Sequence, residues 1–232
     1  MKDCFLALRK PLQILLPLDL MFPFYFVTDP VLERASLSVF DVVRQAIAGG
    51  ARLIQYRDKI NTRHVLYENA KTLREMTAKE GVTLIINDQI DLALAVSADG
   101  VHLGQTDIPI AVARKLLGKS TIIGVSTHGV EEAMRAQSEG ADYIGFGPIF
   151  QTQTKSNASV PVGIDAITAV KNKIHIPLYA IGGIEKHHLP DLCSAGADGV
   201  VAISSIAEEI AVNVAAWIET IQKLKAHAIR KS

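Results

Sequence analysis

The sequence predicts an α/β fold, namely a (β/α)8 barrel in a single domain. Eight short apolar runs of strand length, beginning at Phe24, alternate with longer segments in which apolar residues recur at helical spacing. The runs begin about 25 residues apart, which is the length of one strand–helix unit of a parallel sheet. A chain of 232 residues is long for an ordinary domain but normal for a barrel of this kind.

The eight runs are predicted to be parallel strands. They are apolar almost throughout, as strands are when helices cover both faces of a sheet. In order, they are FYFVTD from Phe24, RLIQYR from Arg52, TLIIND from Thr83, GVHLG from Gly100, TIIGVS from Thr121, YIGFGPI from Tyr143, PLYAIGG from Pro177 and GVVAISS from Gly199.

The segments between the runs are predicted to be amphipathic helices. A similar phrase, usually Gly-Ala-Asp or Ala-Asp-Gly, precedes several strands, as expected when a glycine ends a helix and a tight turn follows. The clearest helical segments span residues 38–48, 62–79, 130–139 and 206–225.

The competing architecture is a doubly wound open sheet that binds a dinucleotide. Its glycine-rich loop would follow the first strand, where this chain has Val27-Thr28-Asp29-Pro30 instead. No linker or low-complexity stretch divides the chain. We therefore expect an N-terminal extension over residues 1–22 and the barrel over residues 23–232.

Composition excludes several classes of protein. The formal net charge is zero and the sequence pI is about 7.1, which argues against a general nucleic-acid binder. Prolines and charged residues interrupt the apolar N-terminal segment, so it lacks the roughly 20 apolar residues of a membrane-spanning helix. Two cysteines are too few for a disulfide framework, so we expect a cytoplasmic protein.

The catalytic site of such a barrel lies at the carboxyl ends of its strands. The second run ends Gln55-Tyr56-Arg57-Asp58-Lys59, and alternation places Gln55, Arg57 and Lys59 on one side. Three donors, two of them cationic, favour a polyanionic ligand. The alternative is a solvated strand end with incidental charges.

Two carboxylates follow the next two strands. The third run ends Asn87-Asp88, and the fourth leads to Asp107. Mg²⁺ typically takes one or two carboxylates and completes its shell with water and substrate phosphates, so this pair predicts a magnesium site. The alternative for Asp88 is the N-cap of the following helix.

The last two strands predict a phosphate site. They end in Gly182-Gly183 and Ser204-Ser205, and the corresponding loops of such barrels often bind phosphate through backbone N–H groups. Glycine allows the backbone to approach the phosphate closely. This pairing indicates a phosphorylated ligand but does not identify it.

Three further features of the strand ends have open interpretations. The loop after the sixth strand carries two hydroxyl groups and a cation, namely Thr152, Thr154 and Lys155. This loop either closes over an anion or is an ordinary surface loop. His128, after the fifth strand, is either a general base or a structural residue. His102 lies within the fourth strand, and this position favours a structural role over a catalytic one.

Together these strand ends resemble the thiamine-phosphate synthase family from about Phe24 to Ile206. The motifs are FYFVTD, QYRDK at 55–59, IND at 86–88, DGVHLGQ at 99–105, GVS at 124–126, TQTK at 152–155, IGGI at 181–184 and IS at 203–204. The family joins a pyrimidine methyl diphosphate to a thiazole phosphate and releases diphosphate. The resemblance therefore implies a transferase of thiamine biosynthesis with two small-molecule substrates.

The resemblance also implies roles for individual residues. Mg²⁺ would be held by Asp88 and Asp107. All residues of the matched segments 55–59 and 152–155 are expected to contact the substrates, and these segments include Tyr56, Asp58 and Gln153. The pyrimidine diphosphate would be held by Gln55, Arg57, Lys59, Asn87, Ser126 and Lys155, of which Arg57, Lys59, Ser126 and Lys155 are the expected catalytic residues. The thiazole phosphate would be held by Thr152, Thr154, Gly183, Ile203 and Ser204.

Two other functions stay open at this point. A related thiazole tautomerase shares the barrel and the phosphate loops, and there His128 would be the base. A tautomerase, however, needs neither a diphosphate site nor a metal. A non-catalytic binder of thiamine precursors is the third interpretation. Homo-oligomerisation is possible but not indicated by any motif.

Overall fold

The computed structural model describes residues 23–32, 37–152 and 160–229, and within them eight parallel strands close into a barrel in chain order. The prediction of a (β/α)8 barrel is confirmed. The N-terminal extension, together with Gln153, Thr154 and Lys155, lies outside the described residues. The strands are β1 (Phe24–Val27), β2 (Leu53–Tyr56), β3 (Thr83–Asn87), β4 (Gly100–Leu103), β5 (Ile122–Thr127), β6 (Tyr143–Phe146), β7 (Leu178–Ala180) and β8 (Gly199–Ala202).

Each strand is followed by a helix on the outside of the barrel. All four helices predicted from residue spacing are present, and Ser38 caps the first of them by accepting a hydrogen bond from the Asp41 N–H. The helices are α1 (Val39–Ala48), α2 (Arg63–Lys79), α3 (Ile90–Val96), α4 (Ile110–Leu117), α5 (Val130–Ser138), α6 (Asp165–Lys171), α7 (Leu189–Ser194) and α8 (Ile210–Ile229).

The last helix begins later than predicted. Residues from Ile206 were expected to be helical, but a separate 3-10 turn covers Ser204–Ile206 and α8 starts at Ile210. Glu209 has a positive φ of 48°, which breaks the helical path between the two. The turn therefore belongs to the barrel mouth rather than to the outer helix.

The recurring aspartate before alternate strands has a structural role at the opposite end of the barrel. In each case it accepts a hydrogen bond at 2.7–2.8 Å from a backbone N–H near the start of the preceding strand, and it pairs with a cation on the helix before that strand. The three sets are Asp99 with Leu84 and Arg74, Asp142 with Ile123 and Arg114, and Asp198 with Leu178 and Lys171.

The barrel lumen is filled by its own layer of side chains. The aromatic rings of Tyr25, Tyr143 and Tyr179 meet edge to face, with centroids 5.4–5.7 Å apart. They pack with apolar side chains of neighbouring strands to form a second cluster beside the main core between strands and helices. This aromatic layer lies below the cavity at the carboxyl ends of the strands, and Tyr25 lines that cavity.

Candidate active site

The end of β2 carries the first part of the site, and Gln55 and Arg57 line the cavity as alternation predicts. The Arg57 guanidinium pairs with Asp29, and both side chains are largely buried. Thr28 joins the two strand ends, since its Oγ1 accepts a hydrogen bond from the Arg57 N–H at 2.9 Å and donates to the Arg57 carbonyl at 3.1 Å. Arg57 is therefore held in place before any ligand arrives.

Two residues of the same segment have their contacts elsewhere. The Tyr56 hydroxyl donates to Asp58 Oδ2 at 3.2 Å and accepts from Asn69 of α2 at 3.3 Å. Burial tends to raise the pKa of the Asp58 carboxyl, but hydrogen bonds from the Asn61 side chain and from the backbone N–H groups of Asn61 and Ile60 outweigh it and lower that pKa. Neither Tyr56 nor Asp58 is among the residues that line the cavity, and their substrate contacts stay predictions.

The rim above β3 and β4 brings the two predicted metal ligands together. Lys59 Nζ pairs with Asp88, and the Asp107 carboxyl lies beside that of Asp88. Burial raises the pKa of Asp107, the Asp88 carboxylate raises it further, and a hydrogen bond from the Gly104 N–H at 2.7 Å opposes both. Two adjacent carboxylates, one of which has a raised pKa, are a suitable pair of ligands for a divalent cation.

The backbone of Asp88 settles its alternative role. The N-cap of α3 is Gln89, so the interpretation of Asp88 as a helix cap is wrong. Asp88 has a φ of 59°, in the left-handed region that costs a residue other than glycine free energy. Its N–H is bound by the His102 carbonyl at 2.8 Å, which helps to hold this conformation. In the described part of the chain, no group of three His, Cys, Asp or Glu side chains is arranged to hold a metal.

The loops after β7 and β8 form the opposite side of the mouth. A Cβ on Gly183, whose φ is 62°, would lie 2.4 Å from the Gln151 carbonyl oxygen, so only glycine allows the loop after β7 to approach the loop after β6 so closely. Gly183, Ile203, Ser204 and Thr152 line the cavity here. The first N–H groups of the turn at Ser204 have no acceptor within the turn and are able to bind an anion.

The floor of the cavity is lined by the two remaining predicted residues, Asn87 and Ser126. Two histidines, His102 and His128, line it as well. His128 Nδ1 lies 3.0 Å from Glu132 Oε2, and the same carboxylate accepts its backbone N–H at 2.8 Å. This contact fixes the ring at the start of α5. His102 is hydrogen-bonded at both ring nitrogens, as expected of a structural histidine.

Sequence reasoning missed two tyrosines, Tyr25, which lines the cavity, and Tyr143, which is buried beneath it. Their hydroxyls are 2.7 Å apart, and they link Gln55 on one side to His102 and Ser126 on the other. A signal was present in the sequence, because a tyrosine inside a buried strand needs a partner for its hydroxyl.

A closed barrel with arginine, lysine and paired aspartates on one side of its mouth, and loops of glycine and serine on the other, is typical of enzymes that act on phosphorylated small molecules. Among the described residues, none of the helices has both the length and the apolar content to cross a membrane.

Comparisons with known proteins identify the particular family. The family model described as thiamine monophosphate synthase matches residues 24–206, and the chain belongs to this family of transferases. It is 46 % identical to the thiamine-phosphate synthase of Chloroflexus aurantiacus over 192 residues, covering 83 % of this chain and 88 % of the relative. The corresponding enzyme of Methanocella arvoryzae is 45 % identical over 197 residues, covering 85 % and 92 %. Among solved structures, the thiamine phosphate pyrophosphorylase of Pyrococcus furiosus superposes with a TM-score of 0.79 at 34 % identity, covering 88 % of this chain and 96 % of that one.

Proposed function

We propose that the barrel mouth couples 4-amino-2-methyl-5-(diphosphooxymethyl)pyrimidine to a thiazole phosphate, giving thiamine phosphate and diphosphate. The observation that carries this proposal is that two separate sets of groups suited to binding anions lie on one barrel mouth. The cationic region with paired carboxylates is at the ends of β2 to β4, and the glycine–serine region is at the ends of β7 and β8. In a closed eight-stranded barrel these strand ends lie on opposite sides of the mouth, and Arg57 and Gly183 line the same cavity, whereas Lys59, Asp88 and Asp107 lie at the rim outside its lining.

On the first side, Arg57 and Lys59 would bind the diphosphate and Asn87 and Ser126 the pyrimidine. Arg57 is largely buried and already paired with Asp29, so its guanidinium is oriented in advance. Lys59 is about half exposed and is able to exchange its contact with Asp88 for one with the ligand. Lys155, placed here by the family resemblance, would add a further cation.

On the second side, Gly183 and Ser204 would bind the single phosphate through backbone N–H groups and the serine hydroxyl. Ile203 would contact the thiazole, and Thr152 would add a hydroxyl from the loop after β6. Because neither of the predicted metal ligands, Asp88 and Asp107, belongs to this region, its affinity for the thiazole phosphate is expected to be independent of a metal.

Asp88 and Asp107 would hold Mg²⁺, and their adjacency and the raised pKa of Asp107 fit a divalent cation. When bound, the ion would neutralise negative charge on the diphosphate. The Lys59 ammonium pairs with Asp88, and its exposed position would allow it to contact the diphosphate as well.

The reaction needs orientation and charge stabilisation rather than a nucleophilic side chain. The bond between the pyrimidine methylene carbon and the diphosphate oxygen breaks, and its electron pair leaves with the diphosphate. The thiazole nitrogen then supplies the pair for the new carbon–nitrogen bond. Arg57 and Lys59 would stabilise the departing negative charge, and the opposed binding regions would hold the nitrogen facing the carbon.

Turnover tests this function. Purified protein is incubated with both substrates, with Mg²⁺ or with EDTA, and thiamine phosphate and diphosphate are quantified. We expect product only with Mg²⁺, and a loss of at least about a hundredfold in Asp88→Asn, since one ligand of the ion is weakened. Asp91→Asn is the matched control, because Asp91 is an exposed carboxylate on α3 that pairs with Arg63.

The same assay separates the other functions. Isomerisation of a thiazole phosphate without metal, with no coupled product, would indicate the tautomerase. Binding of both substrates with no chemistry in either condition would indicate a non-catalytic binder.

A further inference from the structure

We propose that a hydrogen-bond chain through the barrel lumen, Gln55–Tyr25–Tyr143–His102–Ser126, makes the floor of the pocket selective for a 4-aminopyrimidine over its 4-oxo counterpart. The inner three residues are positioning residues, since they act through Gln55 and Ser126. This inference rests on the proposed function, because it concerns how that site reads the pyrimidine.

The chain crosses the lumen from β2 to β5. The Gln55 amide nitrogen contacts the Tyr25 hydroxyl at 2.6 Å, and the Tyr25 and Tyr143 hydroxyls are 2.7 Å apart. The Tyr143 hydroxyl is 3.0 Å from His102 Nδ1, and His102 Nε2 is 2.9 Å from Ser126 Oγ. Three of these contacts have the length of ordinary hydrogen bonds, and the one between Gln55 and Tyr25 is slightly shorter.

The donor at one end determines the direction of every bond. The Gln55 amide donates to the Tyr25 oxygen, so the Tyr25 proton goes to its other hydrogen-bond partner, Tyr143. Tyr143 then donates its own proton to His102 Nδ1. A neutral imidazole that accepts at Nδ1 carries its proton on Nε2, which donates to Ser126 Oγ.

This direction fixes what the two ends present to the pocket. Gln55 uses its amide nitrogen within the chain, which leaves its carbonyl oxygen as the group to accept a hydrogen bond from a ligand. Ser126 Oγ accepts from His102, which leaves its hydroxyl proton to be donated. An aminopyrimidine offers the complement, namely an amino group that donates and ring nitrogens that accept. A 4-oxo pyrimidine offers an acceptor in place of the amino group and carries a proton on a ring nitrogen.

The lumen is shaped to keep this chain in place. A Cβ on Gly124 would lie 2.0 Å from Cζ of Tyr143, and one on Gly145 would lie 3.2 Å from Cε1 of His102, so glycines on β5 and β6 leave the space that these rings occupy. Burial raises the pKa of both Tyr25 and Tyr143, so both phenols keep the protons that the chain needs.

Tyr143→Phe tests the inference by removing one link. The binding constants of the aminopyrimidine diphosphate and its 4-oxo analogue are measured by calorimetry with Mg²⁺. Wild type is expected to prefer the amino compound by at least about a hundredfold. The variant loses the donor to His102 Nδ1, so the imidazole and Ser126 are able to reverse, and the preference should fall by about tenfold or more. Tyr179→Phe is the control, since none of the four bonds of the chain involves Tyr179.

The preference, rather than activity, is the decisive quantity, because a purely structural role would lower the amount of folded protein and leave the preference unchanged. An unchanged preference in Tyr143→Phe would overturn the inference alone. If wild type bound neither pyrimidine diphosphate, the proposed function would fail as well.

A second measurement needs no substrate. Nitrogen-15 NMR of the imidazoles, with His102→Gln used to assign the signal, reports which ring nitrogen carries the proton. We expect a neutral His102 protonated at Nε2. A proton on Nδ1 would reverse every bond in the chain and overturn the inference.

Discussion

Gly124→Ala should destabilise the protein markedly, because the phenol of Tyr143 occupies the space beside this glycine. The added Cβ would lie 2.0 Å from Tyr143 Cζ, 2.4 Å from its hydroxyl oxygen and 2.5 Å from Cε1. To restore ordinary contact, which begins at 3.4 Å, the ring must move by about 1.4 Å. The backbone of Gly124 is not in the left-handed region, so the effect would come from packing alone.

The magnitude follows from what a displaced ring loses. Overpacking a close-packed interior costs about 1–3 kcal/mol. A shift of that size also takes the Tyr143 hydroxyl out of reach of Tyr25 or His102, which adds about 1 kcal/mol for each bond lost. We expect the free energy of unfolding to fall by about 2–4 kcal/mol and the melting temperature by roughly 5–15 °C.

The assay is urea denaturation followed by circular dichroism, with Gly145→Ala as the graded control. That Cβ would lie 3.2 Å from His102, so the neighbour needs to move by only a few tenths of an ångström, and the loss should stay below about 1 kcal/mol. Equal stability of Gly124→Ala and wild type would refute the placement of Tyr143 across the lumen.

Three further substitutions test other parts of the structure. Asp142→Ala should cost about 1–3 kcal/mol in urea denaturation, because the N–H of Ile123 loses its acceptor, while the KM values stay unchanged since this end of the barrel is remote from the mouth. Asp29→Ala should lower stability by about 3 kcal/mol and raise the KM for the pyrimidine diphosphate, because it leaves the buried Arg57 cation without its carboxylate; an unaltered KM would contradict the orienting role. Asp107→Asn should lower Mg²⁺-dependent turnover yet stabilise the metal-free protein at neutral pH. Burial and the neighbouring Asp88 carboxylate raise the folded-state pKa of Asp107, so wild type loses stability as the pH rises through that pKa, and the amide removes this loss. Thermal denaturation of both proteins across a series of pH values from acid to neutral compares them.

Residue periodicity was sufficient to predict the barrel. A parallel strand that is covered on both faces must be apolar throughout, and the helix that returns the chain must be amphipathic. Each strand–helix unit is therefore predictable from its own stretch of sequence. The start of α8 was wrong by four residues because the turn at Ser204 is followed by Glu209 with a positive φ, which an apolar pattern does not reveal.

Side-chain alternation predicted the orientation of Gln55 and Arg57 toward the cavity, whereas Lys59, which lies beyond the end of β2, pairs with Asp88 and is not among the residues that line the cavity. The family resemblance, which matched residues 55–59 as one segment, did not distinguish the two faces of the strand, and Tyr56 and Asp58 instead bond to each other. Alternation is a property of the backbone, so here it was more informative than the shared motif.

The chain across the lumen could not be predicted from local pattern. Tyr25 and Tyr143 are 118 residues apart and lie on strands that are not neighbours in the sheet, so only closure of the barrel brings their hydroxyls together. The glycine that makes room for this contact, Gly124, is on yet another strand. Contacts of this kind depend on three-dimensional packing, and no spacing within one strand signals them.

Calorimetric binding of each substrate alone, with Mg²⁺ and with EDTA, tests whether one mouth holds two anions by different means. The pyrimidine diphosphate should bind at least about tenfold more weakly without the ion, since Asp88 and Asp107 then repel it. The thiazole phosphate should bind equally well in both conditions, because glycine and serine backbone groups hold it. Equal metal dependence of the two substrates, or none for either, would show that the two regions do not hold their anions by different means.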